Sequence, residues 1–148
     1  MSELAGISVE FTDRARLRSR FEGRRILYVD DDDLMRRAMT RLLRRAGAVC
    51  LCTGSHDHAI ALLASELLLD LAVLDFQMPD GDVGRLVRRL RRLRPAVALV
   101  GTSGSDRRSE FAARGVGHFL AKPWGLDDLA RAAGWSEAAA RAFPSHGP

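Results

Sequence analysis

Five short apolar runs, separated by segments of helical period, constrain the fold of this chain more than any other feature. Arg25 to Asp30 (RILYVD), Ala48 to Thr53, Leu71 to Asp75 (LAVLD), Ala96 to Thr102 and Gly117 to Ala121 read as strands. They are apolar nearly throughout rather than alternating, as expected of strands buried on both faces. Between the first two, Leu34 to Ala46 carries Met35, Met39, Leu42, Leu43 and Ala46 on one helical face. Asp32 or Asp33 can cap that helix and Gly47 can end it. A second helix starts at Ser55 and is expected to reach about Leu68, with Ile60, Leu63 and Leu67 inward. The third shows Val83, Leu86, Val87, Leu90 and Leu93 at helical spacing and stops at Pro95. A short fourth helix spans roughly Asp106 to Arg114, and a fifth runs from Gly125, weakened at Gly134.

Strands that alternate with helices need crossovers, and right-handed crossovers cover both faces of a parallel sheet. The expected class is therefore α/β, a (βα)5 three-layer sandwich around a central five-stranded parallel sheet. In such sheets ligands gather at the carboxyl ends of the strands. The residues that fall there are Asp30 and Asp31, Asp75, Thr102 and Lys122, drawn from four distant parts of the chain.

Three carboxylates on one sheet edge repel. Two unit charges about 4 Å apart interact by roughly 4 kcal/mol at an effective dielectric of about 20. A cation relieves this, and ligands that are all oxygen favour magnesium over zinc or copper. With a hydroxyl and an ammonium added, the set suits phosphoryl transfer to a carboxylate: Asp75 as nucleophile, Thr102 and Lys122 on the phosphoryl oxygens. Lys122 is the one lysine among 23 basic residues, the rest being arginine. A compact ammonium on a flexible stem does not dock as a planar guanidinium does, so its use here looks selected. Taken singly, four aspartates in a row are most often a helix-capping turn, and a Lys-Pro pair is most often a loop. Their joint occurrence, in order at successive strand ends, argues against that bland reading.

The motifs ILYVDDDD, LAVLDFQMPDGD, GTSG and FLAKPW resemble, in sequence, the signatures of response-regulator receiver domains, over about residues 24 to 133. The resemblance implies a flavodoxin-like fold and a Mg-dependent phosphoacceptor at Asp75. It implies that Asp30 and Asp31 hold the metal with Asp75 and the backbone carbonyl of Gln77, Asp31 being the more direct ligand. Thr102 and Lys122 would sense the phosphoryl group, and Phe119 would stand at an aromatic switch position. The Lys122-Pro123 bond would be cis. The implied partners are a sensor histidine kinase or phosphotransfer protein and a downstream target protein. A homodimer through the face made by the fourth helix, fifth strand and fifth helix is also an option. Apart from transfer to itself and hydrolysis of its own phosphate, such a protein is not an enzyme. The alternative is an adaptor on the same fold whose binding ignores phosphorylation. Three positions depart from the family pattern. Val83 stands where Gly is usual, with Gly81 and Gly84 beside it to make the turn. Gly101 is expected to loosen the fourth strand, and the segment from Thr102 to Lys122 is short.

Composition bounds the rest. The 148 residues, 47% hydrophobic and 28% charged, suit one domain. No apolar run approaches the ~18 residues of a membrane span, and Met1 to Glu10 holds two acids and no basic group, unlike a signal peptide. A cytoplasmic protein without membrane contact is expected. The net charge of +4 raises nucleic acid as a partner. No groove-entering motif or aromatic-basic platform accompanies it, so no specific nucleic-acid binding is expected. Cys50 and Cys52 share one face of the second strand, where buried thiols are the simpler reading than a metal site with His56 and His58. His118 is expected to be an ordinary exposed histidine. Residues 1–23 are read as a loosely ordered extension, 24–142 as the receiver-like domain and 143–148 as a tail. In the extension, Ile7, Val9 and Phe11 alternate as a strand would, and Thr12 to Glu22 could form a short basic helix. Since few residues follow the fifth helix, a stand-alone switch without an output domain is expected.

Overall fold

In the computed structural model, residues 14–65 and 68–135 are described here. Five strands form one sheet: β1 Arg25–Val29, β2 Val49–Thr53, β3 Leu71–Asp75, β4 Ala98–Ser103 and β5 His118–Ala121. They alternate with α1 Asp33–Arg45, α2 His56–Leu63, α3 Val83–Leu93, α4 Arg108–Ala113 and α5 Leu126–Ala133. The order across the sheet is β2-β1-β3-β4-β5, and every pairing is parallel. The expected α/β three-layer architecture is therefore present.

Because successive side chains on a strand face opposite ways, each strand feeds two cores. Ile26, Tyr28, Val73 and Val100 pack with Met39 and Leu43 of α1 and Leu129 and Ala130 of α5. Leu27, Val29, Ala72, Leu74 and Leu99 pack with Ala59 and Leu63 of α2, Leu86 and Leu90 of α3, and Phe111 of α4. Asp32, Ser55 and Asp82 cap α1, α2 and α3 by accepting from the N–H of Met35, His58 and Gly84. Gly81, at φ 129, makes the turn that Val83 cannot, leaving Val83 free to enter the core.

Some boundaries differ from expectation. The helix expected to reach Leu68 ends at Leu63; Glu66 and Leu67 lie outside the described residues, and Leu68 is exposed. Leu68 and Leu69 do not extend α2; Leu69 already packs toward the core from the loop that leads into β3. β4 begins two residues later than expected, since Val97 N–H closes a turn onto the Arg94 carbonyl. Residues 14–21 of the expected extension form a helix. Its Phe21 is buried in the first core, edge-on to Trp135 at 5.6 Å. Arg20 pairs with Asp127, and the Arg24 guanidinium lies 4.6 Å from the Trp135 ring. The strand-like alternation at residues 7–11 and the tail at 143–148 lie outside the described residues. No described helix is long and apolar enough to cross a membrane.

Candidate functional site

The parallel register brings the expected residues together. Asp75 is the last residue of β3, and its Cα partner on β4 is Thr102. Asp30 follows β1, its N–H donating to Thr53 O at 3.1 Å. Lys122 follows β5, its N–H donating to Ser103 O at 2.8 Å. Lys122 Nζ then lies 3.0 Å from Asp30 Oδ2 and 3.2 Å from Asp75 Oδ2, one ammonium between two carboxylates. Asp31 completes an acidic triad in which one oxygen each from Asp30, Asp31 and Asp75 lie within 4.8 Å of one another. Asp30 and Asp75 are buried and Asp31 is exposed, so the cluster opens to solvent on the Asp31 side. Gln77, in the loop after β3, lines with Asp31, Phe76 and Met78 a shallow groove of about 570 Å³ beside that opening.

The electrostatics set the two buried carboxylates apart. Burial pushes the Asp75 carboxyl up to about 6, against the pull of Lys122 and with the added push of Asp30. Burial acts on Asp30 in the same sense. There it is outweighed by hydrogen bonds from Tyr28 Oη at 2.7 Å, Asp32 N at 3.0 Å and Lys122, which hold Asp30 below the usual carboxylate range. Burial alone would lower Lys122, but its two carboxylate partners keep it raised and charged. The donor set is all oxygen and carries more negative charge than Lys122 offsets, which fits a small hard divalent cation such as magnesium.

Two contacts at the site were not read from sequence. Tyr28 is fully buried beneath Asp30, and burial together with that carboxylate raises its phenol far above the ordinary range. The available signal was spacing: residues two apart on a strand share a face. The other is at Trp124, two residues after Lys122. Its indole N–H donates to Thr102 Oγ1 at 2.8 Å, and its ring stands edge-on to Tyr28 at 6.3 Å. The cis bond at Lys122-Pro123 is present.

Gly101 does not loosen β4. The Phe111 ring fills the space a side chain there would need, 2.6 Å from the ideal Cβ position. Phe111 lies between Phe76, next to Asp75, and the half-buried Phe119, with centroids 5.4 and 5.9 Å away. Cys50 and Cys52 share a face as expected, and burial pushes the Cys50 thiol up to about 11. Among the described residues the Asp30, Asp31 and Asp75 triad is the one cluster of this kind, so the Cys/His alternative has no geometry behind it. His118 is exposed.

A family model, the response regulator receiver domain, matches residues 26–133. The chain belongs to this family. It is 31% identical to the two-component response regulator ARR22 of Arabidopsis thaliana, over 66% of this chain and 72% of that protein. It is 32% identical to the transcriptional regulatory protein PmrA of Pectobacterium parmentieri, over 71% of this chain but 48% of that protein. The receiver domain thus corresponds to about half of the latter. Among solved structures, a response regulator receiver protein from Sinorhizobium medicae superimposes with a TM-score of 0.69 at 27% identity, covering 80% of this chain and 98% of that one. The receiver fold here is thus the flavodoxin-like arrangement expected.

Proposed function

We propose that this receiver domain is a phosphorylation switch in two-component signalling, in which Asp75 accepts a phosphoryl group from a sensor histidine kinase or phosphotransfer protein. The observation that carries the reading is the single lysine, poised 3.2 Å from Asp75 and 3.0 Å from Asp30 at the mouth of a triad of carboxylates. An ion pair built only for stability would not need a third carboxylate, Asp31, open to solvent beside it.

Asp75 attacks phosphorus through a carboxylate oxygen as the bond to the donor's leaving atom breaks, its electron pair departing with the donor. With its carboxyl at about 6, Asp75 is mostly ionised near neutrality and able to attack. Lys122 turns from pairing two carboxylates to binding a phosphoryl oxygen, and the Thr102 hydroxyl donates to another. Asp30, Asp31, Asp75 and the Gln77 carbonyl would hold magnesium, which when bound supplies charge to offset the equatorial oxygens. Asp30, fixed by Tyr28 and the Asp32 N–H, keeps its charge and orientation throughout. The domain thereby modifies itself, is restored when water takes the phosphoryl group as inorganic phosphate, and turns over no separate substrate. A solved response regulator from Burkholderia pseudomallei, of like fold (TM-score 0.69, 20% identity, 80% of this chain and 71% of that one), is described with a phosphorylated aspartic acid and a calcium ion.

The output is a change in protein binding. Phe111 joins Phe76, adjacent to the phosphoacceptor, to Phe119 on β5, so a shift at Asp75 has a packed aromatic route to the α4–β5–α5 face. That face would meet a downstream target in the cytoplasm, or a second copy of the chain. Intact-mass spectrometry after treatment with acetyl phosphate and magnesium is expected to show one added phosphoryl group, absent in Asp75→Asn. A wild type left unmodified under excess donor and metal would favour the phosphorylation-independent adaptor.

A further inference from the structure

Thr102 Oγ1 is a fully buried hydroxyl oxygen already engaged from behind. The Trp124 indole N–H donates to it at 2.8 Å. A threonine hydroxyl has one proton to give and two lone pairs to receive. With an N–H fixed against one lone pair, the hydroxyl proton cannot point toward Trp124 and must be aimed elsewhere. Among the described residues no protein acceptor takes that proton, and the residue opposite Thr102 on the neighbouring strand is Asp75. The indole itself has little freedom. It is buried and packed edge-on against Tyr28, and Tyr28 is anchored through its own hydroxyl to Asp30. One aromatic pair in the core beneath the site therefore holds a carboxylate with its phenol and a hydroxyl with its indole.

We propose that Trp124 is a positioning residue for Asp75 phosphorylation: its indole N–H orients the Thr102 hydroxyl as a donor aimed at the incoming phosphoryl oxygen. The proposal rests on the reading of Asp75 as phosphoacceptor. A phenyl ring at this position would keep the packing against Tyr28 and lose the N–H. The Thr102 hydroxyl would then spread over its staggered orientations, and its donation to the phosphoryl oxygen would weaken.

The test uses beryllofluoride with magnesium as a phosphoryl mimic and compares wild type, Trp124→Phe, Thr102→Val and the double variant. Trp124→Phe is expected to weaken beryllofluoride binding by about threefold to tenfold, the scale of one buried neutral hydrogen bond. Magnesium affinity measured without beryllofluoride should not change, because the Trp124 indole donates to Thr102 and not to a carboxylate of the acidic triad. In the Thr102→Val background, Trp124→Phe should add nothing, since no hydroxyl remains to orient. A loss of the same size in both backgrounds would assign Trp124 to packing alone and overturn the proposal, as would an unchanged affinity in Trp124→Phe. Replacing Trp124 with 3-benzothienylalanine, which exchanges N–H for sulfur within the same outline, gives the same comparison should the phenyl variant fold poorly. If wild type binds magnesium but neither beryllofluoride nor a phosphoryl group, the phosphoacceptor reading itself fails. If wild type binds the mimic, that reading stands and the cycle alone decides the role of Trp124.

Discussion

Gly101→Ala places a methyl group where the Phe111 ring now stands. An ideal Cβ at Gly101 would lie 2.6 Å from Cγ, Cδ1 and Cδ2 of that ring, about an ångström inside ordinary carbon contact. Neither partner can yield cheaply. Gly101 pairs in register with Leu74 on β3 and Phe119 on β5, so the strand is held on both sides. Phe111 is fully buried between Phe76 and Phe119. Overpacking of this kind costs about 1–3 kcal/mol, and at about 3 °C per kcal/mol for a chain of this size the midpoint should fall by about 3–9 °C. Phe111→Leu should cost stability by itself, yet relieve the clash. The double variant should then be more stable than the sum of the two single losses, by about 1 kcal/mol or more. Thermal unfolding of all four proteins, followed by circular dichroism, measures this. If Gly101→Ala loses less than about 0.5 kcal/mol, or if the two losses simply add, Phe111 does not fill the Gly101 hollow.

Two further outcomes follow from the raised Asp75 carboxyl. Its folded value, about 6, lies above the ordinary 3.8. The folded state therefore holds this proton more tightly, and the stability this gives is full below the ordinary value and lost as pH rises through about 6. Asp75→Asn should stabilise the metal-free protein at pH ~7 by on the order of 1–3 kcal/mol in chemical denaturation, with the gain shrinking toward pH ~4; a gain independent of pH would refute this. The same proton competes with a cation, so magnesium affinity measured by calorimetry should fall as pH drops through about 6. An affinity flat across that range would mean that Asp75 is not a ligand.

The residues at the strand ends were legible because each apolar run stops at a polar group. LAVLD ends on Asp75 in both the sequence pattern and the structure. Parallel topology then fixes which ends meet, so the sequence pattern alone groups Asp30, Asp75, Thr102 and Lys122. What stayed hidden depends on contacts between elements. Tyr28 looked like one more apolar strand residue, and its phenol is polar only where Asp30 accepts from it. Gly101 looked like a weak point because its filling comes from Phe111 on another element. The end of α2 was misjudged because leucines continue past Leu63, and periodicity does not distinguish a helix from a loop that carries apolar residues. The leading helix was legible as one option over Thr12 to Glu22, but its docking was not, because Phe21 packs against Trp135 at the far end of the described chain.

On the proposed reading, an acyl phosphate forms on one carboxylate and its formation requires magnesium. Borohydride reduces an acyl phosphate at aspartate to homoserine, so treating the phosphorylated protein and mapping its peptides locates the modified residue directly. The expected result is homoserine at position 75 alone, dependent on magnesium and lost in Asp31→Ala. Homoserine at Asp30 or Asp31 instead, or labelling of Asp75 that persists in Asp31→Ala and in the absence of magnesium, would contradict it.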